Sequence, residues 1–439
     1  MTGSPRLRRF ASLGAYAALA LALAACAQKF PNTTFEPHSE YGRAIDFLWN
    51  RLLFFGTGVF VLVEAALLFV VFKFRRRDET TTPPQTHGNT KLEILWTLIP
   101  AVILVFIAVP TVRTIFETQA KAAPNALEID VYGHQWWWEF QYPEYKITTA
   151  NEIYVPKGRT VNFVLRTKDV LHSFWIPQLA GKRDLIANHT NYLWFTPDTS
   201  APTTVWNGFC TEYCGSSHAN MRFRVVTVTP EEFANWVTRQ QSPAAFGAVP
   251  ATPPATAIVT PAVATSATTA PVTPAVATAA TAATAATTAA PAAPIATEPP
   301  GWVLPHEQVP AYAVPQTPIP AGVDFNDKLV GDPARGMALF TGAGTCNGCH
   351  TIAGNPAAVG NIGPNLTHVG SRIAIGGGLY KNDAYHLARW VKNARVMKPG
   401  NIMTTLGKGQ FDPQMKLTTP GGLTDQQIAD LVAYLQALK

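Results

Sequence analysis

Three kinds of hydrophobic spacing follow one another along this chain. Two long apolar runs come first, Leu52 to Phe72, interrupted only by Glu64, and Ile94 to Val112. Each is close to the ~20 residues that cross about 30 Å of hydrocarbon, so both read as membrane-spanning helices. From Leu127 to Thr229 the period changes to two. Leu127, Ile129 and Val131, then Val161, Phe163 and Leu165, then Phe223, Val225 and Val226 fall into strand-like runs. Pro156-Lys157-Gly158 and Pro197-Asp198 supply turns between runs, and the segment predicts an antiparallel β-sandwich or barrel. From Pro243 to Pro299 all periodicity stops, and Ala, Thr, Pro and Val make up almost every position. Prolines interrupt any helix there, so the segment reads as an extended, semi-stiff linker. After Asp324 helical signals return. Pro333 to Phe340 has proline in its first turn, Thr424 and Gln427 form a capping box, and Ile428, Leu431, Val432 and Leu435 share one face. A small all-α domain closes the chain.

Charge fixes how these parts sit across a membrane. Lys73, Arg75, Arg76, Arg77 and Lys91 lie between the two apolar runs, which places that loop in the cytoplasm and both ends of the hairpin outside. The N-terminal segment carries Arg6, Arg8 and Arg9, then an apolar stretch to Ala25, then Cys26. That is the layout of a secretory signal peptide, and Leu23-Ala24-Ala25-Cys26 resembles a bacterial lipobox with Cys26 as the lipidated residue. Both signals give the same orientation. The expected divisions are 1–25 for the signal peptide, 26–44 for an N-terminal segment and 45–120 for the hairpin. The β domain takes 121–240, a linker with an ordered lead-in takes 241–322, and the helical domain takes 323–439. Glu64, alone in the first span, reads either as a neutral carboxyl packed on a partner helix or as part of a proton path. The chain has 47% hydrophobic and 14% charged residues and a net charge of +6. That charge is spread thinly, with no basic block interleaved with aromatics, which excludes a nucleic-acid face.

The five cysteines carry the chemistry. Cys210-Thr-Glu-Tyr-Cys214-Gly-Ser-Ser-His218-Ala-Asn-Met221 lies between two strand-like runs, with His172 upstream. Two thiolates, two imidazoles and a thioether form a soft nitrogen–sulfur donor set that suits copper. A zinc site would leave Met221 without a purpose, and a disulfide would leave both His218 and Met221 without one. Cys346-Asn-Gly-Cys349-His350 is a C-x-x-C-H run, the pattern of covalent c-type haem attachment, with Gly363-Pro364-Asn365-Leu366 shortly after it. A redox-active C-x-x-C is the competing reading. A methionine as second axial ligand would raise the haem potential. Met397, Met403 and Met415 are the candidates, and Met403 is preferred. His368 and His386 read as surface or packing residues.

The Cys210–Met221 run resembles the copper A site of cytochrome oxidase subunit II, and the resemblance covers roughly residues 45–237. It implies a cupredoxin-like β domain in which Cys210 and Cys214 bridge two coppers. His172 and His218 bind one copper each, Met221 completes one, and the Glu212 carbonyl the other. It further implies a magnesium or manganese ion held by the Glu212 carboxylate at the interface with oxidase subunit I. Glu93-Ile-Leu-Trp96 resembles the start of the family's second span, where the carboxylate matching Glu93 stands at the mouth of a proton channel. A charge beside an interfacial Trp belt is the plainer reading. Gly133-His134-Gln135-Trp136-Trp137-Trp138 resembles the family's aromatic stretch, in which the residue matching Trp136 is exposed and relays electrons. Trp137 and Trp138 read as anchors at the bilayer surface.

The C-terminal part resembles class I cytochromes c, and Lys398-Pro-Gly-Asn-Ile-Met403 resembles their ligand loop, with Thr404 in place of the usual proline. A subunit II fused to a cytochrome c resembles the caa-type oxidases. The arrangement implies a proton-translocating oxidase that passes electrons from haem c to copper A and on to haem a of subunit I. Subunit III, and an external cytochrome c or a cytochrome bc complex as donor, are implied partners. The implied location is the bacterial cell membrane, with both redox domains on its outer face. The copper ligands argue against a quinol oxidase subunit. A nitric oxide reductase subunit and a free-standing anchored carrier are the remaining alternatives. The helical domain has 11 Lys and Arg against 7 Asp and Glu over Asp324–Lys439. The linker makes its encounter with the copper domain intramolecular, so charge steering is not needed.

Overall fold

The computed structural model describes residues 14, 16–21, 30–75, 87–244 and 301–439. Cys26 and the 245–300 tract lie outside these. Helix α1 spans Glu40–Lys73 and starts where the Ser39 hydroxyl accepts the Gly42 N–H at 3.0 Å. Helix α2 spans Thr90–Gln119, capped by the Asn89 carboxamide, and carries Pro100 and Pro110 within it. At 34 and 30 residues, both outrun the ~20 that a bilayer needs. The surplus at the outer end is tied to the β domain. The Glu40 carboxylate accepts the Thr196 N–H at 2.9 Å, Arg43 pairs with Asp198 at 2.8 Å, and Arg183 donates to Gln119 at 2.9 Å. Tyr41, 4% exposed, meets Trp194 edge-on. The hairpin and the β domain therefore share a root.

Ten strands form two five-stranded sheets packed face to face. The first holds β1 (Leu127–His134), β2 (Trp137–Tyr142), β3 (Ile147–Ala150), β5 (Val161–Thr167) and β8 (Asn191–Phe195), in the order β3-β2-β1-β5-β8. The second holds β4 (Glu152–Pro156), β6 (His172–Trp175), β7 (Arg183–Leu185), β9 (Thr204–Cys210) and β10 (Arg222–Val228), in the order β4-β10-β9-β6-β7. The sandwich is mixed, where its alternation suggested a purely antiparallel one. β1 and β5 run parallel, as do β4 and β10, because the chain between each pair crosses over and returns in the same direction. Phe140, Phe163, Phe174, Phe195 and Phe223 fill the core. Phe174 and Phe223 stack at 4.6 Å. Gly208 faces Phe223 across the β9–β10 ladder, where a Cβ would lie 2.2 Å from the ring.

Trp138 corrects the reading of the aromatic stretch. Alternation along β2 turns it inward, fully buried against Phe174 and Phe223, so it is a core residue and not a membrane anchor. Trp137, on the other face, stacks on His134 at 4.1 Å.

Helix α3 (Pro230–Gln241) follows a Thr229–Glu232 capping box and lays Trp236 on Tyr154 at 4.8 Å. Where the description resumes at residue 301, the chain returns to this same surface as a strap. Leu304 and Ala313 are buried, Trp302 meets Tyr154, and the Tyr312 hydroxyl donates to the Val205 carbonyl at 2.8 Å.

The C-terminal domain is built on α4 (Pro333–Thr341), α5 (Ala384–Lys392), the short α6 (Ala394–Met397) and α7 (Asp425–Ala437). Helices α4 and α7 pack closely, since a Cβ on Gly336 would stand 2.0 Å from the Asp430 carbonyl oxygen. Arg335 ties them further through Asp430 at 2.9 Å. The domain is not wholly helical. Two-residue ladders join Ala374–Ile375 to Tyr380–Lys381 and Phe411–Asp412 to Leu417–Thr418. Gly376, Gly377 and Gly378, all at positive φ, make the first turn.

That glycine turn rests on the β domain. The Arg222 N–H donates to the Gly377 carbonyl at 3.0 Å, and the Ser217 hydroxyl donates to the Pro399 carbonyl at 2.6 Å. The Glu152 carboxylate accepts the N–H groups of Ile373 and Ala374 at 2.6 and 3.1 Å. Burial pushes the Glu152 carboxyl up to about 7, against the pull of Arg372, those two N–H groups and Arg224. Burial in turn pushes Arg224 and Arg372 down to about 10, and Glu152 opposes it in both.

Candidate functional sites

The ends of three strands converge on one point. His172 opens β6, Cys210 closes β9, and Met221 stands just before β10. The intervening loop is shut by the Cys210 N–H donating to the Met221 carbonyl at 3.0 Å. A 3-10 turn, His218–Asn220, points His218 back toward the thiols. The two Sγ atoms are 3.7 Å apart. Cys210 Sγ lies 3.8 Å from His172 Nδ1 and 3.3 Å from the Glu212 carbonyl oxygen. Cys214 Sγ lies 3.6 Å from His218 Nδ1 and 3.9 Å from Met221 Sδ. All six atoms that the resemblance implies as ligands are thus brought together. Cys210, Cys214, Met221 and His172 are buried, and His172 is fully so.

Protonation suits this pocket to a metal. The Cys210 thiol is pushed down to about 4, first by the hydrogen bond from Cys214 and then, against burial, by His172. The same bond pushes Cys214 strongly up. One thiolate forms readily and the second needs a cation to displace its proton. Burial works to lower the His172 imidazole, but its hydrogen bonds to Asp169 and Cys210 outweigh that and raise it. The Asp169 carboxylate holds His172 Nε2 at 2.8 Å and accepts the Gln135 N–H at 2.6 Å. Nδ1 is thereby aimed at Cys210. A Cβ on Gly133 would fall 2.6 Å from the His172 ring, so glycine is what admits the imidazole. A set of two thiols, two imidazoles and a thioether, all but His218 buried, fits copper.

Trp136 is 9% exposed, although the resemblance implies an exposed residue. Its Nε1 donates to the Cys214 carbonyl at 2.9 Å, and Gln135 donates to the same oxygen at 2.7 Å. The C-terminal domain covers the ring. A Cβ on Gly400 would lie 2.5 Å from Trp136 Cη2.

The second site lies between α4 and the loops that follow it. Cys346 begins a 3-10 turn, Cys346–Gly348, and Cys349 and His350 come directly after. Cys346 is half-buried and Cys349 exposed, and neither forms a disulfide. Burial pushes the His350 imidazole down, and its Nδ1 holds the Pro364 carbonyl at 2.8 Å, which leaves Nε2 as a neutral ligand nitrogen. Gly363 packs on the ring so closely that a Cβ would lie 2.6 Å from Cε1. This constellation fits a haem linked through two thioethers and ligated by His350. Met397 is 2% exposed in the core and Met415 is 63% exposed, while Met403 is half-buried in the loop after Gly400. Glu64 and Glu93 are exposed on the helices.

Sequence reasoning missed Asp169, which holds the His172 ring, and the buried charged residues Glu152 and Lys398 where the two domains meet. Asp169 could have been found, standing three residues before His172. Glu152 and Lys398 carry no local signal.

Family models match three stretches in chain order. Residues 35–114 match the transmembrane domain of cytochrome c oxidase subunit II, 145–228 its periplasmic domain, and 333–439 cytochrome c. Cytochrome c oxidase subunit 2 of Alkalihalophilus pseudofirmus is 28% identical, over 87% of this chain and 83% of that protein. Probable cytochrome c oxidase subunit 2 of Rickettsia bellii is 34% identical, over 45% of this chain and 79% of that protein. Among solved structures, the periplasmic domain of subunit II of cytochrome oxidase of Bradyrhizobium japonicum is 29% identical, over 27% of this chain and 96% of that one, at a TM-score of 0.26.

The class defined by these matches and by the fold is a membrane protein with a copper-binding β domain and a haem-binding cytochrome c domain. The chain belongs to the cytochrome c oxidase subunit II family, in a form fused to cytochrome c.

Asp169 acts on the metal only through His172. Asp169→Ala is expected to weaken copper binding by about 10–100-fold while leaving the thiols in place. Competition with a chromophoric copper chelator measures this, and an unchanged affinity would mean that strand β6 alone fixes the imidazole.

Proposed function

We propose that the chain is the electron-accepting subunit of a proton-translocating haem-copper oxidase, taking electrons onto haem c and passing them through copper A to haem a of subunit I. The convergence of His172, Cys210, Glu212, Cys214, His218 and Met221 carries this reading. Cys210, Cys214, His172, His218, Met221 and the Glu212 carbonyl would hold the two coppers. A dicopper centre supplies one-electron redox chemistry with little change of geometry, and the haem supplies the same at a second site. The chain's own part is to hold the ligands still and keep water out, which keeps the reorganisation on electron transfer small. The buried ligands His172, Cys210, Cys214 and Met221 and the closed 210–221 loop support that role.

Cys346 and Cys349 would hold the haem covalently, and His350 and Met403 would ligate its iron. The low imidazole pKa keeps His350 in its neutral, ligating form. Trp136 relays electrons between the two domains. Its indole bridges the Gly400 backbone and the Cys214 carbonyl, which supports the route. The Glu212 carboxylate holds magnesium or manganese at the subunit I interface, and Glu93 stands at the mouth of a proton channel. Subunit III is a further partner, and an external cytochrome c or a cytochrome bc complex is the donor. Cys26 is lipidated after signal-peptide removal, and the hairpin lies in a bacterial cell membrane with both redox domains outside.

Metal analysis of the purified complex tests the copper assignment. Two coppers per chain are expected at this site, with an electron-paramagnetic signal split by two equivalent nuclei. Cys214→Ser is expected to abolish that signal, since an alcohol is too weakly acidic to bridge. One zinc and no copper would refute the assignment.

The haem ligand is tested separately. Met403→Ala is expected to leave the haem attached and lower its midpoint potential. If redox titration finds the drop in Met415→Ala instead, Met403 is not the ligand.

A further inference from the structure

Lys398 is a buried cation placed where the two redox domains meet. It follows α6 in the cytochrome c domain, five positions before Met403, and is 3% exposed. Its Nζ donates to the Trp136 carbonyl of the β domain at 2.5 Å and to the Gly376 carbonyl of its own domain at 3.0 Å. None of the groups that act on its charge is a carboxylate. Burial pushes the amine down to about 7, Cys214 pulls it up, and Arg222 pushes it down further. Burying an ammonium without a carboxylate partner is costly. Packing alone would be served as well by Met at this position, so the two carbonyl contacts are what call for a lysine.

Three glycines and a serine shape the surroundings to those contacts. A Cβ on Gly377, whose φ is +75°, would lie 2.6 Å from Lys398 Nζ and 3.2 Å from the Trp136 carbonyl oxygen. Gly378 would meet Arg222 at 3.2 Å, and Gly400 presses its backbone onto the edge of the Trp136 ring. Ser217, in the copper loop, holds the Pro399 carbonyl. From Met403 to Cys214 the path therefore runs through the 399–403 loop, the Trp136 indole and the Cys214 carbonyl, with Lys398 fixing the backbone of Trp136 beside it.

We propose that Lys398 is a positioning residue for haem-to-copper transfer, its Nζ tying the Trp136 and Gly376 carbonyls together so that the indole stays seated against the 399–403 loop. This rests on the reading that electrons pass between these two sites. In the step concerned, one electron leaves ferrous haem, which becomes ferric, and reduces the oxidised copper pair by one, with no bond made and no proton moved.

The test uses the full complex carrying Lys398→Met or Lys398→Arg, with two readouts. Amide hydrogen exchange at Arg222, whose N–H donates to Gly377, reports the seating with or without metal. Flash-induced oxidation of the haem reports the transfer rate. Lys398→Met is expected to speed exchange at Arg222 and slow transfer by about 10-fold or more, with haem and copper spectra unchanged. Lys398→Arg is expected to restore most of both. If Lys398→Met does not accumulate, Gly377→Ala crowds Nζ from the other side and is expected to act alike. Exchange and transfer equal to the parent chain in the measured variant would overturn the proposal alone. Absence of transfer in the parent complex would overturn the functional reading and the proposal with it.

Discussion

Everything at the copper site depends on how the 210–221 loop is closed. Strands β9 and β10 pair antiparallel out to Phe209 and Arg222, and the Cys210 N–H then donates to the Met221 carbonyl. With its two ends clamped, the loop has little freedom. Cys214, His218 and Met221 must fold back over Cys210. The clamp also brings the two thiol sulfurs to 3.7 Å of each other. The aromatic core beneath, with Phe223 seated in the space that Gly208 leaves open, holds β9 and β10 in register. The sandwich thus sets the positions of the donor atoms at this site.

The junction between domains is built from buried polar groups. Glu152, Arg224 and Lys398 all lie in or beside it, and Glu152 and Lys398 reach backbone groups of the opposite domain. Such groups contribute specificity of docking more than strength, since each is taken out of water to make its contacts. Gly377 and Gly400 bring backbone against the partner surface where any side chain would hold the domains apart. The strap through Trp302 and Ala313 adds apolar contact beside α3. A tether between two freely diffusing domains does not describe this arrangement. The linker brings the cytochrome c domain to a seat that the two surfaces define together.

Much of this was legible in the sequence, for physical reasons. The copper loop packs its donors into twelve residues, so spacing alone reveals them, and the C-x-x-C-H run is shorter still. The spans and the sandwich follow from periodicity. What spacing could not reveal lies far apart along the chain. Glu152 meets Ile373 across 221 positions and Lys398 meets Trp136 across 262. Neither residue looks unusual among its neighbours. Trp138 was misread because three adjacent tryptophans suggest a belt, whereas strand alternation sends the middle and last of them to opposite faces. The parallel pairs escaped because period two marks a strand but not the direction of its partner.

The cytochrome c domain and the copper domain form one seated unit whose contacts are buried away from salt. Buried contacts are screened far less than exposed charge pairs. The most direct measurement is the rate of flash-induced transfer from haem to copper within the complex, at about 0.01 M and about 1 M salt, over which the Debye length falls from about 30 Å to about 3 Å. A rate unchanged between the two is predicted. A steep fall with salt would contradict the account, because docking would then rest on exposed charge and not on the buried junction.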